Sequence, residues 1–282
     1  MIIGIEASNI KSGGGLTHLL EIIKEFESNK IQKIIIWSSQ ETLYLICNKK
    51  KIIKKNNFYL NNNIFFRFFW QYFFSNLEFK KNKCDLVLVP GGSYIGGFKP
   101  YVAISQNMIP FQIHILNRYK YTLSYFKFLI LRRIQIYTFE KAEAIIFLSN
   151  HAKYIINNHL KLKNYGKIKY KIIHHGINEF FKHKLKKNIS IKNYNLNKTF
   201  NIIYVSKIDE YKNHINLILA IDMLRRENYP VKLNLIGSYY NKTYKNILKK
   251  INKIKNGSKF IKLLGEKNYN ELSSFYQNSD MI

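Results

Sequence analysis

The sequence predicts an α/β protein made of two Rossmann-like, doubly wound halves. Three observations carry this expectation. From residue 200 onward, apolar runs of strand length alternate with segments of helical periodicity: strand 200–206, helix 213–226, strand 231–236, helix 241–255, strand 259–264 and helix 270–277. That alternation is the signature of a parallel sheet covered by helices. Second, the β-branched run Ile202-Ile203-Tyr204-Val205 stops at a polar loop that leads straight into Ile215, Ile218, Leu219, Ile221 and Leu224, a strand followed by an amphipathic helix. Third, the chain opens the same way. Residues 2–5 read as a strand, 7–15 as a loop ending in Gly13-Gly14-Gly15, and Leu16, Leu19, Leu20, Ile23 and Phe26 recur at helical spacing.

The remaining elements of the first half follow in order. Residues 33–37 are the second strand, and 49–63, polar and basic, read as a variable loop. Residues 64–79 hold Phe65, Phe66, Phe68, Phe69, Trp70, Tyr72, Phe73 and Phe74 with Arg67 among them. A core helix is favoured over a membrane-surface helix here, because aromatic side chains are normally buried where they can be. Residues 85–89 form a buried strand that ends at Pro90-Gly91-Gly92, and 101–105 form the next. A long helix is expected over 118–142, with a break allowed, then a strand over 144–149 with Ser149 or Asn150 capping the helix after it. Residues 168–174 are the last strand of this half. The domain reading is therefore 1–181, a polar, basic linker 182–199, and a second domain 200–282.

Composition narrows the function classes. The 46% apolar content supplies two cores, and 46 basic against 17 acidic residues, net +29, fit a negatively charged partner: nucleic acid, anionic lipid or a phosphorylated substrate. Abundant Lys, Asn and Ile fit equally a chain whose lysines are solvated surface. No nucleic-acid module is recognisable, so that partner is set aside. Cys47 and Cys84 make no disulfide framework and no metal-ligand spacing, which points to a reducing compartment. The N-terminus reads as lacking a cleavable signal, and Arg67, Lys127, Arg132 and Arg133 interrupt every candidate spanning run. A cytoplasmic protein, soluble or peripheral on the membrane, is expected.

The chemistry concentrates in the loop Ser206-Lys207-Ile208-Asp209-Glu210-Tyr211-Lys212-Asn213-His214. Ligands of open parallel sheets bind at the carboxyl ends of strands, and two ammonium groups beside a helix N-terminus suit a diphosphate. The glycines Gly13, Gly14 and Gly15, between a strand and a helix, would let backbone N–H groups approach an anion, although a plain turn explains them as well. The adjacent His174 and His175 have no Asp, Glu or Cys at ligand spacing, so no metal is expected.

The lysine loop resembles the phosphate-binding loop of the large family of retaining, GT-B-fold glycosyltransferases that use nucleotide-sugar donors. Other pieces lie in the family's order: Gly13-Gly14-Gly15, Ser105-Gln106-Asn107-Met108-Ile109-Pro110-Phe111, Ile146-Phe147-Leu148-Ser149, Ile172-Ile173-His174-His175-Gly176-Ile177-Asn178, Leu235-Ile236-Gly237 and Leu263-Leu264-Gly265. The resemblance implies two Rossmann-like domains facing a cleft and transfer of a sugar from a nucleotide-diphospho-sugar to a glycan or lipid-linked acceptor, in lipopolysaccharide, capsule or exopolysaccharide synthesis. It implies that Lys207 and Lys212 stabilise the departing diphosphate and that Asn107, where many relatives carry a histidine, contacts the donor sugar. A turn-capping role for Asn107 is the alternative. Gly14, Gly15, Gly176, Asn178, Gly237 and Gly265 become donor-side residues, the last two with simple turns as an equal alternative, and no metal or cofactor is called for. Beyond the position of Ile282 the family has a stretch with two glutamates that hold the donor. Their absence from this sequence makes the second domain incomplete, and a fragment or an inactive, non-catalytic nucleotide- or membrane-binding module is the competing expectation.

Overall fold

The computed structural model describes residues 1–160, 168–181, 191–239 and 241–282. The chain divides into two compact units, Met1–His175 and Gly176–Ile282. The division falls ahead of residue 181 because the turn Glu179–Phe181 belongs with the second unit: the Phe181 ring lies edge-on to Tyr269 and Tyr276 at 5.0 and 5.6 Å. Most of the linker read over 182–199 lies outside the described residues. What is described of it, 191–199, starts with a short 3-10 turn at Ile191–Asn193.

The first unit runs β1 (Ile2–Glu6), α1 (Gly13–Lys24), β2 (Lys33–Trp37), α2 (Gln40–Leu45), β3 (Ile52–Lys55), α3 (Phe58–Asn61), α4 (Ile64–Phe73), α5 (Ser75–Lys81), β4 (Leu86–Val89), β5 (Tyr101–Ser105), α6 (Ile113–Leu116), α7 (Leu123–Lys141), β6 (Ala144–Phe147), α8 (Asn150–Asn157) and β7 (Lys169–Ile172). Its seven strands are all parallel in the order β3-β2-β1-β4-β5-β6-β7. The order reverses between β1 and β4, so the loops leaving those two strands frame the crevice where such sheets receive ligands.

Strand residues alternate between two apolar layers. Ile34 and Ile36 join Leu19 and Ile23 of α1 on one side, while Ile35 and Trp37 join Trp70, Phe79, Phe139 and Ile156 on the other. Ser149 does cap α8, accepting from the Ala152 N–H at 3.0 Å.

Three expectations are corrected. The segment 49–63 is not merely a loop: it holds edge strand β3, whose Ile52 and Ile53 pair with Ile34 and Ile35, and the turn of α3. Its lysines disguised the strand, since an edge strand tolerates charge that a central one does not. Gly13, Gly14 and Gly15 are the first turn of α1 rather than loop; only Gly13 keeps a left-handed backbone, at φ +69°. The aromatic segment is mostly surface. A helix lying on a sheet buries one face, and in α4 that face holds Trp70 and Gln71, leaving Phe65 80% and Tyr72 62% exposed.

The second unit continues with β8 (Phe200–Val205), α9 (His214–Arg226), β9 (Val231–Ile236), α10 (Asn241–Asn252), α11 (Gly257–Phe260), β10 (Ile261–Gly265) and α12 (Tyr269–Gln277). Its sheet is parallel, ordered β10-β9-β8. Ile218 and Ile221 of α9 and Ile247 and Ile251 of α10 pack with Val231, Leu233 and Leu235. Along the free edge of β8, Ile203 N–H donates to the Met281 carbonyl at 2.9 Å, and Asp280 accepts from Asn201 N–H and from the Tyr194 hydroxyl, both at 2.9 Å.

Candidate functional site

In the second unit the loops leaving all three strands converge. Ser206 N–H donates to the Ile236 carbonyl and Gly237 N–H to the Gly265 carbonyl, each at 2.9 Å, tying the carboxyl ends of β8, β9 and β10 into one rim. Gly237 has φ +153°, and a Cβ there would sit 2.0 Å from the Ser206 carbonyl oxygen, so only glycine fits. Gly265 has φ +71° with open space where a Cβ would be.

The lysine loop leaves this rim. Ile208 is buried and its N–H is held by the Ser238 carbonyl at 2.8 Å. Asp209 caps the turn Glu210–Lys212, its Oδ1 accepting from Glu210 N–H at 2.8 Å. Asn213 then takes the left-handed conformation, φ 61°, and reverses the chain into α9. The result places Lys207 exposed and Lys212 half-buried, with the Lys212 ammonium 5.1 Å from the centre of the Tyr211 ring, at the mouth of a thirteen-residue helix whose N-terminus favours anions.

Under that loop sits a brace invisible in the motif. His214 is 2% exposed; its Nε2 lies 3.2 Å from Ser206 Oγ and its ring 5.0 Å from that of Tyr204, while the Tyr204 hydroxyl donates to the Lys212 carbonyl at 3.0 Å. Burial, and then the Lys212 charge, hold the His214 pKa below the ordinary histidine value, with Asp209 acting the other way. A neutral imidazole is therefore the working form. Gly176 is exposed with open space around its Cβ position, and Asn178 is half-buried.

In the first unit a second polar group gathers at the carboxyl ends of β5 and β7. Gln106 Nε2 is hydrogen-bonded to His18 Nδ1 on α1, and the His18 and His175 rings meet edge to face at 4.5 Å. Burial and the neighbouring His175 keep the His18 pKa low. A Cβ at Gly15 would come within 3.2 Å of Gln106 Oε1, whereas Gly14 is open. Asn107 is half-buried and its Oδ1 accepts from Ile109 N–H at 3.1 Å, capping the turn Ile109–Phe111. Among the described residues no group of three His, Cys, Asp or Glu is placed to hold a metal.

At the end of β1, Glu6 is 2% exposed, and Ser8 N–H donates to its Oε1 at 3.2 Å. Gln71 reaches Ser8 Oγ at 3.1 Å and Arg67 the Ser8 carbonyl at 3.1 Å. Burial pushes the Glu6 carboxyl up to about 7, against the pull of these hydrogen bonds and of Arg67. Neither Glu6 nor His18 was legible as special. A lone acid closing an apolar strand and a lone histidine in a helix carry no spacing signal, and Gln106 was visible only as part of a motif.

Comparison with known proteins gives this geometry a class. Residues 186–282 match the family model described as Glycosyl transferases group 1. Among solved structures, HepE of Anabaena, in complex with UDP and glucose, aligns with a TM-score of 0.64 at 15% identity, over 99% of this chain and 72% of that one. WaaG, a glycosyltransferase involved in lipopolysaccharide biosynthesis, aligns at 0.60 and 11% identity over 100% and 74%. The UDP-forming α,α-trehalose-phosphate synthase of Burkholderia vietnamiensis aligns at 0.58 and 12% identity over 99% and 76%. No curated protein matches the sequence. The fold of the chain is the GT-B fold of these glycosyltransferases. The likeness to the glycosyl transferases group 1 extends over residues 186–282.

Proposed function

We propose that the protein transfers a sugar from a nucleotide-diphospho-sugar to a hydroxyl of a glycan or lipid-linked acceptor, with retention at the anomeric carbon. In the reaction the bond from anomeric carbon to diphosphate breaks, a bond to the acceptor oxygen forms, the acceptor hydroxyl loses its proton, and a nucleoside diphosphate leaves. The observation that carries this reading is the placement of Lys207 and Lys212 at the strand-end rim, ahead of the α9 N-terminus. Fixed cations and a helix N-terminus stabilise charge as it develops on a leaving diphosphate, and do so without a metal.

In this reading Gly237 and Gly265 let the donor approach the rim of the second unit, and Gly176 and Asn178 serve its donor side. In the first unit Gly14 and Gly15 offer N–H groups at the start of α1, and Asn107, with its oxygen engaged in the turn, presents its amide nitrogen to a sugar hydroxyl. HepE in complex with UDP and glucose supports a nucleotide-sugar donor, and WaaG supports a place in bacterial surface polysaccharide synthesis. No helix among the described residues is long and apolar enough to cross a membrane. The protein would then meet a lipid-linked acceptor as a peripheral protein on the cytoplasmic face.

The test is the Lys212→Ala variant assayed for release of nucleoside diphosphate from UDP- and GDP-sugars, beside thermal unfolding. Transfer should fall by roughly 100-fold or more, the scale seen when a preorganised charge-stabilising group is removed, with little change in unfolding temperature. Normal turnover by the variant would end the assignment.

A further inference from the structure

From residue 228 to 265 the chain holds nine lysines and no carboxylate. The fold gathers the middle of that run on one side of α10 and of the turn that follows it. Helix α10 sends Ile247 and Ile251 into the core of the second unit, so Lys245 and Lys249, four residues apart, fall on the opposite side and are exposed. Lys253 continues their row: its N–H still donates to the Lys249 carbonyl at 3.3 Å, and the residue is exposed. Lys255 and Lys259 extend the charge past the helix. Every exposed residue from 245 to 259 is Lys, Asn or Ser. Among the described residues none of these lysines is ion-paired, and Asp222 on the adjoining α9 is already bound to Arg226 at 2.8 Å. Like charges four residues apart on a helix repel, so this row carries a cost that a negatively charged partner would relieve.

We propose that this face of α10 is a docking surface for an acidic polysaccharide, a sugar chain bearing carboxylate or phosphate groups. It rests on the glycan-acceptor reading above and gives that glycan its charge and its place on the second unit. The ammonium groups of Lys245, Lys249 and Lys253 follow one another about every 6 Å along the axis, a row that suits a chain of spaced charges better than a single small anion. Between them stand the exposed amides of Asn246 and Asn252, and Asn256 and Ser258 follow, groups that both donate to and accept from sugar hydroxyls. A bilayer is a poor partner, because a helix that settles on lipid needs apolar side chains and this face exposes none. Nucleic acid is gripped by arginine forks and by aromatic rings that stack on bases, and neither is exposed here. A second copy of the chain would set the same cations against themselves. Only a hydroxyl-rich polyanion uses both the lysines and the amides.

The test is titration of the whole protein with a labelled oligogalacturonate, a neutral dextran oligosaccharide of the same length and a single-stranded oligonucleotide of the same charge. Wild type should bind the oligogalacturonate and not the dextran, and salt should weaken that binding. Lys245→Glu with Lys249→Glu should lose about 10-fold or more in affinity, since each reversal removes an attraction and adds a repulsion. Lys80→Glu with Lys81→Glu makes the same change in net charge at exposed positions of the first unit and should leave the affinity within about 2-fold. Asn246→Ala with Asn252→Ala should lose about 3-fold or more for the oligogalacturonate and nothing for the oligonucleotide. All six positions are exposed, and circular dichroism on heating confirms that the variants fold. Failure of wild type to bind the oligogalacturonate would overturn the proposal, and so would equal losses from the two lysine pairs, which would trace binding to net charge alone. Tighter binding of the oligonucleotide, or of phosphatidylglycerol vesicles, through Lys245 and Lys249 would give the face to nucleic acid or to lipid instead. Donor binding, followed by calorimetry without any glycan, reads the transferase assignment separately, so the two can fail independently.

Discussion

The hydroxyl of Tyr204, near the end of β8, donates to the backbone carbonyl of Lys212 at 3.0 Å, across the loop that separates strand from helix. The same tyrosine ring packs on His214, two residues beyond that lysine. Strand and loop are thus clamped on both sides of the residue assigned to the diphosphate.

Removing the phenol oxygen should loosen that lysine without unfolding the unit. Tyr204→Phe deletes one neutral hydrogen bond, a contribution of about 1 kcal/mol, and keeps the ring against His214. Transfer should drop about 5-fold to 10-fold while the unfolding temperature falls by only a few degrees, because small errors in placing a charged group weigh on the transition state. His214→Ala should cost both activity and stability, since it empties a buried site beside Ser206 and Tyr204. Steady-state kinetics beside thermal scans separate the two effects; equal loss of stability in both variants would mean that the phenol only supports the fold.

The lysines themselves should differ. Lys207 is exposed and Lys212 half-buried. Solvent and salt screen the first more than the second. Titrating a UDP-sugar into Lys207→Ala and Lys212→Ala by calorimetry should show the larger affinity loss for Lys212→Ala, and the loss at Lys207 should shrink more as salt is raised. The opposite ranking would move the diphosphate toward the outer end of the loop.

Gly237 is expected to tolerate no side chain. Its backbone conformation alone costs any other residue roughly 1–3 kcal/mol, and a Cβ 2.0 Å from the Ser206 carbonyl would push apart the ends of β8 and β9. Gly237→Ala should lower the unfolding temperature by several degrees and weaken donor binding together, while Gly265→Ala, with open space at its Cβ position but φ +71°, should cost stability only modestly. Equal tolerance at both positions would contradict the rim geometry.

These contrasts show what a sequence carries and what it does not. Strand–helix alternation after Phe200 was readable because each period serves one buried face, and the lysine loop was readable because spacing and strand-end position belong to local sequence. Edge strand β3 was hidden because its Lys54 and Lys55 face conditions that select for charge. The aromatic helix α4 misled because composition reports how apolar a segment is but not how much of it the sheet can cover. The Gln106 to His18 contact joins residues on separate elements, so no local pattern could announce it. Asn107 illustrates a mixed outcome, since its Oδ1 makes the turn-capping bond that was the alternative reading for that loop.

Glu6 gives the clearest dependence on pH. Its carboxyl ordinarily releases its proton near 4.5, and burial in the folded state raises that to about 7. Between those values the folded protein binds more protons than the unfolded chain, so stability contributed through Glu6 falls as pH rises across the window and levels off above it. Glu6→Gln keeps the size and polarity of the side chain but cannot ionise. Measured by urea unfolding at a series of pH values, the variant should gain on wild type as pH climbs through this window. Each pH unit of separation corresponds to about 1.4 kcal/mol, so the full gain is on the order of 3 kcal/mol. Arg67, Ser8 and Gln71 surround the carboxyl in wild type and would still meet an amide there. A stability difference that does not vary with pH across the window would mean that Glu6 is ionised in the folded protein at neutral pH and balanced by Arg67. In that case Arg67→Met should destabilise wild type far more than it destabilises Glu6→Gln, because it would leave a buried charge without its partner.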